Sequence, residues 1–580
     1  MHDIVVRNGL IYDGSGSPPS RGDVAIDSGR ITAVGVVEKS GREEINAGGN
    51  AITPGFVDVH THYDGQVLWN DRLVPSSEHG VTTVIMGNCA VGLAPCKPSE
   101  RELLVKVMAG VEDIPEAVMT EGLNWEWETF PDYLDVLEKR HCDIDFAAQL
   151  PHGCVRVYVM GKRGADREIA NIDDLARMTA VVEEAMAAGA IGISSSHSLA
   201  HRALDGSLAP AETAEETELL ALARGLRKSK AGVIEFISDL AGLPHGDTSG
   251  FDVMRRMAET AGKPLSFTLV QLDTYPEGYR RLLDLVERAN ADGVEIRGQV
   301  APRAVGLSFG FDLSFNPFSF RKSYMEVEHL PLAERVEALR DPARRARILA
   351  ETAEHGNGHV LWLINQVANM YVLGEGFDYE PSPSNSLGSV AAAKGISPWA
   401  LAYDLLVQED GRTMLYLPVT NYHAGNLDTT LEMMRHPHTI VALGDGGAHY
   451  GMICDAAYPS FMLSHWARDR QGARMAVEEI VKALTWDAAT AVGLVDRGLL
   501  RPGLIADLNI IDLQRVNLKR PEVRYDLPTG ARRIAQTADG YLATIKSGVV
   551  TYRGGEHTGA LPGRLVRGTG NDAVNTTRLS

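Results

Sequence analysis

The chain has 580 residues, 44% of them hydrophobic and 23% charged, an ordinary globular balance with ample apolar material for a large core. Acidic side chains outnumber basic ones by 76 to 56, and the resulting formal charge of −20 argues against a nucleic-acid or anionic-membrane surface. Five scattered cysteines (Cys89, Cys96, Cys142, Cys154 and Cys454) are too few for a disulfide framework, and no apolar run approaches the length of a membrane span.

The chain opens on a strand pattern without a basic segment leading into an apolar one, so the expectation is a soluble, cytoplasmic α/β protein. Residues 2–53 alternate in strand fashion, with turns at Asp13-Gly14, Ser28-Gly29 and Gly48-Gly49. Short buried strands are predicted at 55–60, 81–86 and 144–149. One grammar then recurs four times: a helix, a glycine, and a short apolar strand. The helices cover 175–186, 216–230, 251–260 and 278–290, the second of them opened by the capping box Thr213-Ala-Glu-Glu216. The strands that follow lie at 190–194, 233–237, 265–270 and 294–300, and a last one at 440–445 makes eight. Two further segments, 359–364 and 414–419, also read as strands, which leaves ten candidates for eight places.

Alternating helix and buried strand is the pattern of a parallel sheet with covering helices, and eight such strands suit a (β/α)8 TIM barrel. The predicted organisation is a barrel over 54–495 with a long insertion around 302–398. Residues 1–53 and 496–567, both β-rich, are expected to form one small β-sandwich, and 568–580 a flexible tail.

Active sites of such barrels lie at the C-terminal strand ends, and three strand ends here carry chemistry. Pro54-Gly-Phe-Val-Asp-Val-His60-Thr-His62 ends in two imidazoles that the strand's period of two places on one side, a good pair of ligands for zinc or a similar ion. Val81-Thr-Thr-Val-Ile-Met-Gly-Asn88-Cys89 ends in a thiol; a cation would stabilise its thiolate, and without one it reads as a small buried apolar residue. Thr439-Ile-Val-Ala-Leu-Gly-Asp445-Gly-Gly-Ala-His449 ends in a carboxylate suited to touch a metal and to take a proton, or to cap the next helix.

These three strand ends, with the closing Gly503-Leu-Ile-Ala-Asp-Leu-Asn-Ile-Ile-Asp512, resemble the amidohydrolase superfamily, in which a sandwich from both termini accompanies a metal-bearing barrel. Within it, the His-x-His strand, the segment 80–95 around Gly-Asn-Cys89, and Ala187-Ala-Gly-Ala-Ile-Gly-Ile-Ser194 look most like the D-aminoacylases, the N-acyl-D-amino-acid deacylases. The resemblance implies metal-dependent amide hydrolysis with Zn2+, His60, His62, Cys89 and Asp445 at the metal site, and Asp445 as general base. It also departs from its pattern: the fifth and sixth strands, 233–239 and 265–271, lack the metal-binding histidines of that group, and the fourth lacks the lysine of hydantoinase-like relatives. One metal on the four remaining ligands is the favoured reading; a second ion, supplemented by Glu235, Asp239, Gln271, His152, His197 or His201, is the alternative.

Attack of activated water on the amide then needs an oxyanion donor, for which His152, at the end of the third strand, is the first choice. A free substrate carboxylate needs a cation, and Arg303 and Arg202 compete for that role. His201, Tyr422 and His449 complete the expected pocket. The partner is a small amide, not a nucleic acid or a membrane, and the oligomeric state is open. Rival readings are a cyclic amide, hydantoin-like ring or lactone as substrate, and a non-catalytic scaffold.

Overall fold

The computed structural model describes residues 1–240 and 247–568. The tail expected over 568–580 lies outside the described residues apart from Gly568. Eight strands form one parallel sheet in sequence order: Phe56–Asp58, Val81–Met86, Asp145–Pro151, Gly192–His197, Val233–Ser238, Leu265–Thr268, Ile296–Val300 and Thr439–Val441. All eight predicted places are filled. Val81–Met86 and Asp145–Pro151 are buried at every position, which is why these strands read as runs rather than alternations. The chain beyond the eighth strand returns to the first: the His62 N–H donates to the Gly446 carbonyl at 2.7 Å and the Asp445 N–H to the His60 carbonyl at 3.2 Å. The architecture is TIM-barrel-like.

The two surplus strand candidates resolve differently. Residues 359–364 belong to the helix Gly358–Ile364, whose Asn357 side chain accepts the His359 and Val360 N–H groups. Six apolar-rich residues do not declare their period, and the cap decides for helix. The segment at 414–419 is a strand, Leu415–Pro418, but it pairs antiparallel with Gly306–Phe309 and Tyr371–Val372 outside the barrel sheet. The insertion therefore runs on to about 418 instead of ending near 398. It has its own apolar core, which includes Phe309, Phe318, Ile364, Leu387, Tyr403 and Leu415.

The two chain ends do build a common sheet. Ala51–Pro54 pairs antiparallel with Leu508–Ile511 at the centre of nine strands, flanked by His2–Ile11 on one side and Tyr541–Lys546 on the other. This is one sheet curled on itself; among the described residues the sheets other than it and the barrel have three strands or fewer. The curl is fixed where the Ile31 N–H donates to the Leu504 carbonyl and the Ala506 N–H to the Gly29 carbonyl, both at 2.9 Å. Ile4, Val24, Ile31, Ile52, Leu508 and Ile545 fill its interior.

Sheet and barrel are joined by buried charge. Lys546, from the terminal sheet, is fully buried, and its Nζ lies 2.8 Å from Asp145 and 2.9 Å from Asp507. Asp145 opens the third barrel strand and also accepts from Arg497 at 2.8 Å. Beyond the sheet, the chain runs back along that same strand, where the Val566 N–H donates to the Phe146 carbonyl at 2.8 Å.

Candidate active site

The three strand ends singled out above converge. His60 and His62, each 1% exposed, lie just past the first strand. His60 Nε2 is 3.2 Å from Cys89 Sγ, and His62 Nε2 is 3.8 Å from the same sulfur. Asp445 Oδ1 lies 3.5 Å from His60 Nε2 and 3.8 Å from His62 Nε2.

The backbone that delivers these groups is unusual in the same places. Cys89 and Ala90 both take positive φ, at 57° and 62°, and Asp445 and His449 do so at 48° and 52°. Such conformations cost non-glycine residues of order 1–3 kcal/mol each and persist where neighbours over-determine them. Here the neighbours are identifiable. The Glu235 carboxylate accepts the Cys89 N–H at 2.9 Å, and the Ser194 hydroxyl accepts the Ala90 N–H at 3.1 Å. Gly87 precedes the turn at φ 82°, and a Cβ there would stand 2.3 Å from the Gln149 carbonyl oxygen.

Electrostatics point to a cation. Burial lowers His60 to about 4, keeping its imidazole neutral and fit to ligate. Burial, with the Glu235 and Glu112 carboxylates, raises the Cys89 thiol, and burial lifts Glu235 to about 8. Glu235 Oε1 and both oxygens of the fully buried Glu112 have no hydrogen-bond partner. A pocket of neutral imidazoles and unpartnered acids is what a divalent ion would balance. The donors of His60, His62 and Cys89 cluster closely enough for one ion, with Asp445 beside the two histidines: metal–nitrogen distances of about 2.0–2.1 Å and metal–sulfur of about 2.3 Å at tetrahedral angles put ligands roughly 3.3–3.6 Å apart. The residues present fit a metal.

Of the remaining predicted residues, two come to the site. His201 is close enough that its charge bears on His60, His62, Asp445 and His449. Its Nδ1 is held by the Ser196 hydroxyl at 2.9 Å and faces Glu212 at 3.3 Å, leaving Nε2 for a ligand. His449 follows Asp445 with its Nε2 3.5 Å from Glu112. Arg202 stands on the same loop as His201, half-buried, with one guanidinium nitrogen on the Gly206 carbonyl.

Three expectations need correction. His152 is not an available oxyanion donor, because Nδ1 is bonded to Ser195 Oγ at 2.9 Å and Nε2 to Glu218 at 2.8 Å, in a buried chain that continues to Arg156. Arg303 is 1% exposed and bound to Asp455 at 2.7 Å and to the Cys454 carbonyl, with its guanidinium 3.9 Å above the Tyr379 ring. It is a paired internal cation, not a clamp for substrate. Tyr422 gives its hydroxyl to the Pro381 carbonyl in the insertion. Among the supplementary ligands, the Asp239 carboxylate is spent on Ser198 and Leu199, while the Gln271 amide donates to the Pro276 carbonyl and the Thr429 hydroxyl and its Oε1 accepts the His423 N–H at 3.4 Å.

Arg303→Ala accordingly strands Asp455 in the interior. The expected result is a loss of about 3–5 kcal/mol, read from the urea midpoint, with no KM penalty selective for substrates bearing a carboxylate. A selective rise in KM at unchanged stability would return Arg303 to the pocket.

Glu112 went unnoticed in the sequence. It caps the helix Arg101–Val111, far from any strand end in the chain, and no motif surrounds it.

A model of the amidohydrolase family matches residues 43–552. An N-acyl-D-aspartate deacylase of Alcaligenes xylosoxydans xylosoxydans is 26% identical over 578 residues, covering 97% of this chain and 95% of that protein. A crystal structure of D-aminoacylase superposes with a TM-score of 0.64 at 22% identity, over 98% of this chain and all of that one. An N-acyl-D-glutamate deacylase from Bordetella bronchiseptica, solved with zinc and a phosphonate inhibitor, gives 0.63 at 20% identity over 98% and 99%. At these identities the two structures speak for the fold.

Proposed function

This chain belongs to the amidohydrolase family, and on that premise we propose that it hydrolyses the amide bond of N-acyl-D-amino acids. The observation that carries the reading is the convergence of His60, His62, Cys89 and Asp445 at one barrel mouth, in a chain similar over nearly its whole length to a deacylase of that class. These four residues would hold a zinc-like ion, which would supply Lewis acidity to the water and the amide carbonyl.

The chain's own groups do the rest. Asp445 takes the proton of the attacking water and delivers it to the departing amine nitrogen. Its side chain keeps 18% exposure beside two fully buried histidines, so it faces the substrate side of the cluster. His201 takes the role expected of His152, its Nε2 donating to the oxygen that gains charge as the carbonyl carbon becomes tetrahedral. Arg202, next along the loop from His201 and half-buried, receives the substrate carboxylate. His449 lines the pocket beyond Asp445.

The test is amine release from paired N-acyl-D- and N-acyl-L-amino acids, before and after dialysis against a chelator. D-selective release, abolished by chelation and restored by Zn2+, is the expected outcome. Chelator-insensitive turnover, preference for the L series, or release from neither series would overturn the proposal.

A further inference from the structure

We infer that Glu112 is a positioning residue that fixes the imidazole of His62 for metal binding, an inference that rests on the metal-site reading above. Glu112 Oε1 stands 3.4 Å from His62 Nδ1, and Oε2 stands 3.5 Å from His449 Nε2. The carboxylate is 1% exposed, and neither oxygen has another partner; His62 Nδ1 has none either. A buried polar group left without a partner costs about 1–3 kcal/mol, so the imidazole that faces Oε1 is its natural partner.

The backbone around Glu112 holds it there. Its N–H closes the helix onto the Met108 carbonyl at 2.9 Å, and its own carbonyl accepts the His449 N–H at 2.5 Å. The next residue, Asp113, accepts the Gly451 N–H at 3.0 Å and the Ser314 hydroxyl at 2.8 Å. Two adjacent acids therefore pin the helix end to the loop beyond Asp445 and to the insertion. A proton on His62 Nδ1, turned to Oε1, would leave the lone pair on Nε2, the nitrogen that stands 3.8 Å from both Cys89 Sγ and Asp445 Oδ1.

The two metal histidines thus differ in their outer partners. His60 Nδ1 is bonded to the neutral amide oxygen of Gln299 at 2.7 Å, with the Glu235 carboxylate farther off at 3.9 Å, whereas the Glu112 carboxylate is the group that His62 Nδ1 faces, at 3.4 Å. A carboxylate behind an imidazole raises its basicity as a ligand, and loss of such a partner weakens metal affinity by about 10–100-fold.

The experiment is Zn2+ affinity of the metal-free full chain, by competition with a fluorescent chelator, for wild type, Glu112→Ala, Glu112→Gln and His62→Ala. Glu112→Ala binds about 10–100-fold more weakly, and Glu112→Gln, which retains an acceptor oxygen without the charge, falls between it and wild type. A merely structural role lowers Tm without that graded loss of affinity. If both Glu112 variants bind within about twofold of wild type while His62→Ala loses binding, the inference falls and the metal site stands. Should Glu112→Ala not fold, unchanged affinity in Glu112→Gln overturns it alone. If His62→Ala binds as wild type does, the metal-site reading fails and takes this inference with it.

Discussion

Asp445→Asn lowers kcat by about 10²–10⁴-fold, the range that a lost general acid–base group commands. Asparagine is the informative replacement because it keeps the shape and tolerates the positive φ that Asp445 adopts. The Asp445 N–H bond to the His60 carbonyl survives, so the link between last and first strands is retained. Thermal unfolding should therefore match wild type, and KM should change little. Activity within about threefold of wild type would remove Asp445 from proton transfer and leave it a ligand only.

The second large effect lies far from the chemistry. Lys546→Met removes the ammonium that contacts both Asp145 and Asp507 across the joint between terminal sheet and barrel. Breaking a buried pair from one side costs about 3–5 kcal/mol, since the orphaned carboxylates stay in the interior. Asp145 keeps Arg497, so Asp507 bears most of the loss, although the Ser547 N–H still reaches it at 2.8 Å. The urea midpoint should fall accordingly, and pairing Lys546→Met with Asp507→Asn should recover part of it. A single variant as stable as wild type would show that packing alone joins the two units.

The strand ends were legible because a parallel barrel buries its strands on both faces, so each writes a short apolar run that stops at a chemical group. His60, His62, Cys89 and Asp445 all sit at such stops. Glu112 does not: it ends a peripheral helix, and its approach to His62 is a tertiary event with no local pattern. Arg303 shows the converse. It follows the strand Ile296–Val300, but its partner Asp455 lies 152 residues away, and chain spacing says nothing of which cation a fold will neutralise internally. His152 fell to the same cause, with Glu218 reaching it from the helix Glu216–Arg227. The helix Gly358–Ile364 was missed for a local reason, since an apolar run that short fits either period.

The pairing of Ala51–Pro54 with Leu508–Ile511 has a bearing on biosynthesis. A ribosome that has made the first strands must add some 450 further residues before their central partner emerges. Until then the edge of Ala51–Pro54 stands open, a template for strands of other nascent chains. The barrel between them can assemble in order, each strand beside the one before, so early folding belongs to it and the terminal sheet closes last. Chains truncated before residue 508 should therefore carry an unfinished sheet and associate through it.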